Sequence, residues 1–172
     1  MIEVIIAVAL TAIVMGASYQ FLLGAQRQAS ASAARQRSAA QARRAAHEIA
    51  RELRGANFTA TDFPDTPSAA ASVRYRVITG YDTGTKKATL SPSRASGNFR
   101  EIRFAGGVIT RDDPSGTSYA IAQQIASLEL TLVAPNKLLI RVSASATDSR
   151  GDTVTNAAEI QIVLSNGTDE AE

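Results

Sequence analysis

The chain of 172 residues has no cysteine and no tryptophan, a single histidine, and only 5% aromatic residues. Without cysteine there are no disulfides, no thiolate zinc site and no thiol nucleophile. His47 alone is too little for a His-based metal centre or a Ser/His/acid set, and it sits among arginines in a helical pattern, where it reads as an exposed side chain. Gly80-Tyr-Asp-Thr-Gly84 and Gly106-Gly107 lack the lysine and the strand-to-helix context of a phosphate loop, so they read as turns. The formal net charge is only +2, so total charge names no partner. Large aromatics are scarce and alanine supplies much of the 45% hydrophobic content, so the core is modest. No catalytic residue and no cofactor is expected.

What the chain does have is one long apolar run at its start, MIEVIIAVALTAIVMGASYQFLLGA, whose only charge is Glu3. From Val4 to Gly24 no side chain is charged. A helix of roughly 20 such residues is about 30 Å long, the thickness of a bilayer's hydrocarbon layer. The run is long for a signal-peptide core and no Ala-x-Ala-type cleavage site follows it in a convincing context. It reads as a retained membrane helix over residues 1–24, with Tyr19 and Phe21 near the headgroups at its far end.

Residues 25–57 hold no proline and many Ala, Arg and Gln, all good helix formers. The helix is expected to continue to about Gly55, with Gly55 or Asn57 as its stop. Ala42, Ala45, Ala46, Ile49, Leu53 and Ala56 recur at three- and four-residue spacing, so Ile49 and Leu53 are expected to pack on a sheet. Arg27, Arg35, Arg37, Arg43, Arg44, Arg51 and Arg54 invite a nucleic-acid reading. Alanine rather than aromatics separates them and no recognition module surrounds them, so a solvated or subunit-facing surface is the expectation and nucleic acid is not the expected partner.

Beyond a loop over Thr59–Ala71 the period changes to two. Val73, Tyr75 and Val77 share a face, as do Ile102 and Phe104. Gly106-Gly107 turns into Val108–Arg111, and Asp112–Gly116 closes that strand. Residues 79–97 read as a hairpin plus loop, and Tyr119–Ala126 as a strand followed by a short helical turn. Leu128, Leu130 and Leu132 alternate, then Leu138, Ile140, Val142 and Ala144 after a turn at Pro135-Asn136. A turn at Ser149–Asp152 leads to a last strand with Ile160, Ile162 and Leu164 in phase. The reading is five to seven strands in an antiparallel meander with one buried face, over residues 58–166, and an acidic tail over 167–172. Asp112 and Asp113, with Ser115, are the calcium candidates, but they fall short of the roughly six to eight ligands calcium takes, and a solvated turn is the expectation. Arg150-Gly151-Asp152 is an integrin-type tripeptide that this turn explains without a partner.

The opening residues, with Ile2, Glu3, Val4 and Ile5 as an aliphatic–Glu–aliphatic core, resemble the N-terminus of type IV pilins and type II secretion pseudopilins. The long helix and the antiparallel strands agree with that family in architecture. The layout of Arg103-Phe104, the glycine turn, Val108-Ile-Thr-Arg111, IAQQIASLELTL and a long hairpin ending near Asn166 looks most like a minor subunit of the J or W type. The resemblance implies an α+β pilin-like fold, no enzyme activity, and a filament in which Glu3 pairs with a neighbouring subunit's amine while Ile2, Val4, Ile5 and Val8 pack between helices. It implies other pilin or pseudopilin subunits, the inner membrane and its assembly platform as partners, with the C-terminal domain periplasmic. The family's Gly-Phe-Thr and basic leader are absent. A start assigned too late or a shortened chain would explain this, and an upstream leader would bring in the prepilin peptidase. It would also supply cytoplasmic positive charge, since the seven arginines after the run would by themselves keep the C-terminal part inside. Two other readings stand beside this one: a single-pass membrane-tethered binding domain that never polymerises, and a DNA-uptake pilin that uses the arginine face.

Overall fold

The computed structural model describes residues 1–57, 70–84, 87–91, 99–134 and 137–164. A single helix, α1, runs unbroken over Ile2–Arg54 and stops at Gly55. At 1.5 Å per residue it is about 80 Å long. Nine strands follow among the described residues: β1 (Ala56–Asn57), β2 (Ser72–Asp82), β3 (Lys87–Ser91), β4 (Arg100–Ala105), β5 (Val108–Asp112), β6 (Ser118–Gln123), β7 (Ile125–Ala134), β8 (Lys137–Thr147) and β9 (Thr153–Val163). The fold is therefore α+β, a long N-terminal helix packed on antiparallel strands. The expected loop over Thr59–Ala71, apart from Ala70 and Ala71, lies outside the described residues, as do 92–98, the turn at Pro135-Asn136 and the tail 167–172.

The strands form two sheets rather than one meander. The larger has the order β1-β2-β4-β5-β6, with β3 also on β2, and the smaller has β7-β8-β9. The division falls at Gln124, which adopts a positive φ of 58°. The expected helical turn after Tyr119 is absent for the same reason. Ser145 N–H donates to the Gln124 carbonyl at 3.1 Å and Ile125 N–H to the Gly107 carbonyl at 3.0 Å, so the backbone passes from β6 to β7 through one left-handed residue. Ala70 and Leu130 exchange two backbone hydrogen bonds of 2.9 Å, which close the outer side of β7 and tie the sheets together. Ala56, expected on the helix stripe, belongs to β1 and pairs with Val77.

Turn chemistry sets the registers. The β4–β5 hairpin brings Ala105 opposite Val108 through Gly106 and Gly107, at φ 58° and 78°. Two successive positive φ values define the two-residue turn that matches strand twist, and glycine alone takes both without strain. In the β8–β9 turn the Asp148 carboxylate accepts from the backbone of Arg150 at 2.8 Å and of Asp152 at 3.0 Å.

The second half of α1 lies across β8 and β9, with a smaller contact on β6 and β1. Ala34, Ser38, Ala42, Ala45, Ala46, Ile49, Ala50 and Leu53 form its buried face. Small residues at three of every four contacts let the helix come close to the sheet, and Ile49 and Leu53 then fill the space against Leu130, Leu138, Ile140 and Val142, all fully buried in one cluster. Each such aliphatic side chain stabilises the fold by roughly 1.5–3 kcal/mol.

Candidate functional site

The first half of α1 has no such cover. Every residue from 1 to 22 is exposed. Ile2 is 72% exposed, Val4 66%, Ile5 67% and Val8 64%, and Phe21 reaches 75%. An 18-residue window there has a mean hydropathy of 2.0 with none of it buried, so this helix is long and apolar enough to cross a membrane. Left in water, the eleven large aliphatic and aromatic side chains of this stretch would forgo on the order of 20 kcal/mol. The rod needs an apolar surrounding, either lipid or other helices.

The polar atoms of the rod fit that surrounding. Thr11 Oγ1 donates to the Ala7 carbonyl and Ser18 Oγ to the Val14 carbonyl, both at 2.8 Å, so neither hydroxyl asks anything of its environment. Glu3 stands in the first turn, where the unpaired N–H groups and the helix dipole favour an anion. Glu3 to Gly24 spans about 31 Å of axis. With Gly24 at one face of a bilayer, Glu3 therefore comes to the opposite face and not to its centre. Glu3, Val4, Ala7, Val8, Thr11, Ala12 and Met15 share one side of the helix around a shallow, open, almost wholly apolar concavity.

The globular part grips the helix just beyond the apolar run. Ser30 Oγ lies 2.8 Å from Ser149 Oγ in the β8–β9 turn. Asn156 Nδ2 donates to the fully buried Ser38 Oγ at 2.6 Å and to the Arg35 carbonyl at 3.2 Å. Gln41 Nε2 donates to Gln124 Oε1 at 3.0 Å. At the other end Glu52 Oε1 accepts from Arg111 Nη1 at 2.7 Å. These four links run along the helix from Ser30 to Glu52 and fix both its height and its rotation on the sheets.

Arg111 is the centre of an ion-pair cluster. Its Nε is 3.4 Å from Asp113 Oδ1, which is also 3.4 Å from Arg100 Nε. Asp112 pairs with Arg103 at 3.5 Å and accepts a short hydrogen bond from Ser118 Oγ. Both calcium candidates thus face arginines in this structure, and among the described residues no group of three or more His, Asp or Glu comes together to hold a metal. The fully buried Tyr75 faces the same cluster with no hydrogen-bond partner for its hydroxyl among the described residues. Burial pushes its pKa up, the Glu52 and Asp113 charges push the same way, and Arg100 and Arg111 oppose them. The sign follows. The folded state holds the phenol proton more tightly than the unfolded chain, so this contribution is complete below the unfolded pKa of about 10 and is lost as pH rises above it. Tyr75→Phe, which removes a hydroxyl that makes no bond, is expected to unfold at the same or a higher temperature at pH 7. Above pH about 10 it should lose stability less steeply than the parent, by up to roughly 1.4 kcal/mol per pH unit. Thermal unfolding of both proteins across that range checks it.

Of the residues the sequence singles out, Ile2, Glu3, Val4, Ile5 and Val8 lie together on the uncovered rod, and Ile49 and Leu53 lie in the core. His47 is exposed. Sequence reasoning missed the long-range polar links. Ser38 carried a weak signal, since it falls in phase with Ala34, Ala42 and Ala45 on the buried face, and a small hydroxyl there needs a partner from elsewhere in the chain. Compared with protein-family models, curated proteins and solved structures, the chain matches none.

Proposed function

We propose that the chain is a non-enzymatic subunit of a membrane-assembled filament of the type IV pilin or type II secretion pseudopilin kind, in a minor, tip or assembly-priming role. The supporting observation is one continuous helix, Ile2–Arg54, whose second half is locked into two antiparallel sheets while its first half, apolar and headed by Glu3, has no cover. In this reading the rod rests in the inner membrane with the β domain on the periplasmic side. On assembly it leaves lipid for a bundle of like rods from sibling subunits, helped by the inner-membrane platform. Ile2, Val4, Ile5 and Val8 pack between rods, and Glu3 meets a cationic N-terminal group of a neighbour. A leader upstream would be removed by a prepilin peptidase.

The absence of native cysteine makes a clean test possible. Ala7→Cys in otherwise unaltered chain, oxidised mildly in native membranes, should give a disulfide-linked dimer, the largest species that one cysteine per chain allows, because bundled rods bring Cα atoms within the roughly 4.4–6.8 Å a disulfide needs. Thr155→Cys on the exposed face of β9 serves as the control. Monomer alone at Ala7 and at neighbouring positions of the rod would instead favour a solitary membrane-tethered domain.

A further inference from the structure

β6 is the free edge of the larger sheet among the described residues. Its sequence, Ser118-Tyr-Ala-Ile-Ala-Gln123, has neither charge nor proline, the two commonest devices by which edge strands refuse a partner. Ser118, Tyr119 and Ala120 are exposed. Between β6 and α1 runs a groove in two adjoining stretches of about 290 and 230 Å³, which share Arg44, Ala120 and Ile121.

The charges in this groove are uneven. Glu48 is held by Arg51 at 2.5 Å and Glu52 by Arg111 at 2.7 Å. Arg111 also lies over the Tyr119 ring at 4.8 Å, which stiffens one wall. Arg44, exposed at the middle of the groove, is left as the cation without an acid among the described residues. A groove with an unpaired strand edge on one side and a lone guanidinium on the other fits an extended chain whose backbone completes the ladder and whose carboxylate reaches Arg44. A second copy of β6 does not meet this need. It offers no acid, and a two-fold pairing of edges would set Arg44 against its own copy.

We propose that β6 and the adjoining face of α1 dock an extended segment of a different protein, added as a strand beside β6, with an Asp or Glu side chain on Arg44. Main-chain bonds to β6 supply affinity and Arg44 supplies selection. The proposal rests on β6 and the sheet-packed half of α1 and stands whether or not the rods polymerise.

The test is selection of a fully randomised nonapeptide library on the full chain in lipid nanodiscs, with empty nanodiscs as the counter-selection. The expected pool is rich in β-branched and aromatic residues with an acid at one position. A synthetic member should shift the amide resonances of Ser118–Gln123, and its affinity should fall about tenfold or more in Arg44→Glu, a change of roughly 1.4 kcal/mol or more. N-methylation of its alternate backbone amides should remove binding. Because Arg44 is exposed, unchanged thermal unfolding of the variant certifies its fold. No enrichment over empty nanodiscs, an enriched pool indifferent to Arg44→Glu, tolerance of N-methylation, or shifts that map away from β6 would each overturn the proposal.

Discussion

Glu3→Gln is expected to abolish most rod-to-rod crosslinking of the Ala7→Cys chain while leaving it in the membrane. The substitution keeps size and shape and removes only the charge. A glutamine at the end of an apolar rod partitions into lipid at least as well as glutamate, so insertion is retained. In the proposed bundle the carboxylate would sit in a poorly solvated place, where an opposite charge or a neighbouring helix N-terminus would stabilise it. Breaking a buried charge pair by removing one member costs about 3–5 kcal/mol, or from about 10²-fold to several thousand-fold in association. Even the lower bound would reduce the crosslinked dimer to a trace beside monomer. Glu3→Asp, one methylene shorter with the charge kept, should restore a visible dimer band. Crosslinking of Glu3→Gln at the parental level, read from the same gel, would mean that van der Waals packing of Val4, Ala7 and Val8 suffices and that the acid has no part in assembly.

The second large effect lies at the other end of the helix. Ile49→Ala and Leu53→Ala should each destabilise the β domain by about 2–5 kcal/mol, because each removes a fully buried side chain from between α1 and the sheets and the surrounding strands cannot close the space. Against a total of roughly 5–15 kcal/mol for a domain of this size, either change consumes a large share. Three kcal/mol corresponds to a fall of roughly 6–12 °C in the unfolding temperature. The two positions are one helical turn apart in the same cluster, so the double variant should cost less than the sum. Val133→Ala, at a side chain 57% exposed, should stay within about 0.5 kcal/mol of the parent. Near-ultraviolet circular dichroism of the nanodisc-embedded chain during heating measures all four. A parental melting curve for Leu53→Ala would remove the helix from the core.

How far the sequence could carry this picture differs by element. The helix was legible because nothing breaks its pattern from Ile2 to Arg54, and the strands around Leu130, Ile140 and Val142 because alternation is strict where one face is buried. The division into two sheets was not legible. The corner at Gln124 is a single residue with none of the glycine or proline punctuation that usually marks a change of direction. Alternation also misplaced Arg76, which falls on the outward phase of β2 yet is only 4% exposed, with its guanidinium 4.4 Å over the Phe99 ring. Stacking on an aromatic partner 23 positions away, as between Arg76 and Phe99, leaves no local trace. The same holds for the Glu52–Arg111 and Ser38–Asn156 links, which join positions 59 and 118 residues apart. The uncovered rod was the most legible part of the candidate site, because composition alone dictates it. Its placement relative to the β domain depended on those unreadable links.

The grip of the β domain begins at Ser30, only six residues past Gly24, and α1 is continuous through that junction. No flexible joint separates the greasy half from the folded half. Axial pull or torque applied to one end is therefore delivered to the other along a stiff shaft, with about 9 Å of bare helix in between. A motor that drew this shaft out of lipid by one pitch would lift and turn its cargo by the same stroke.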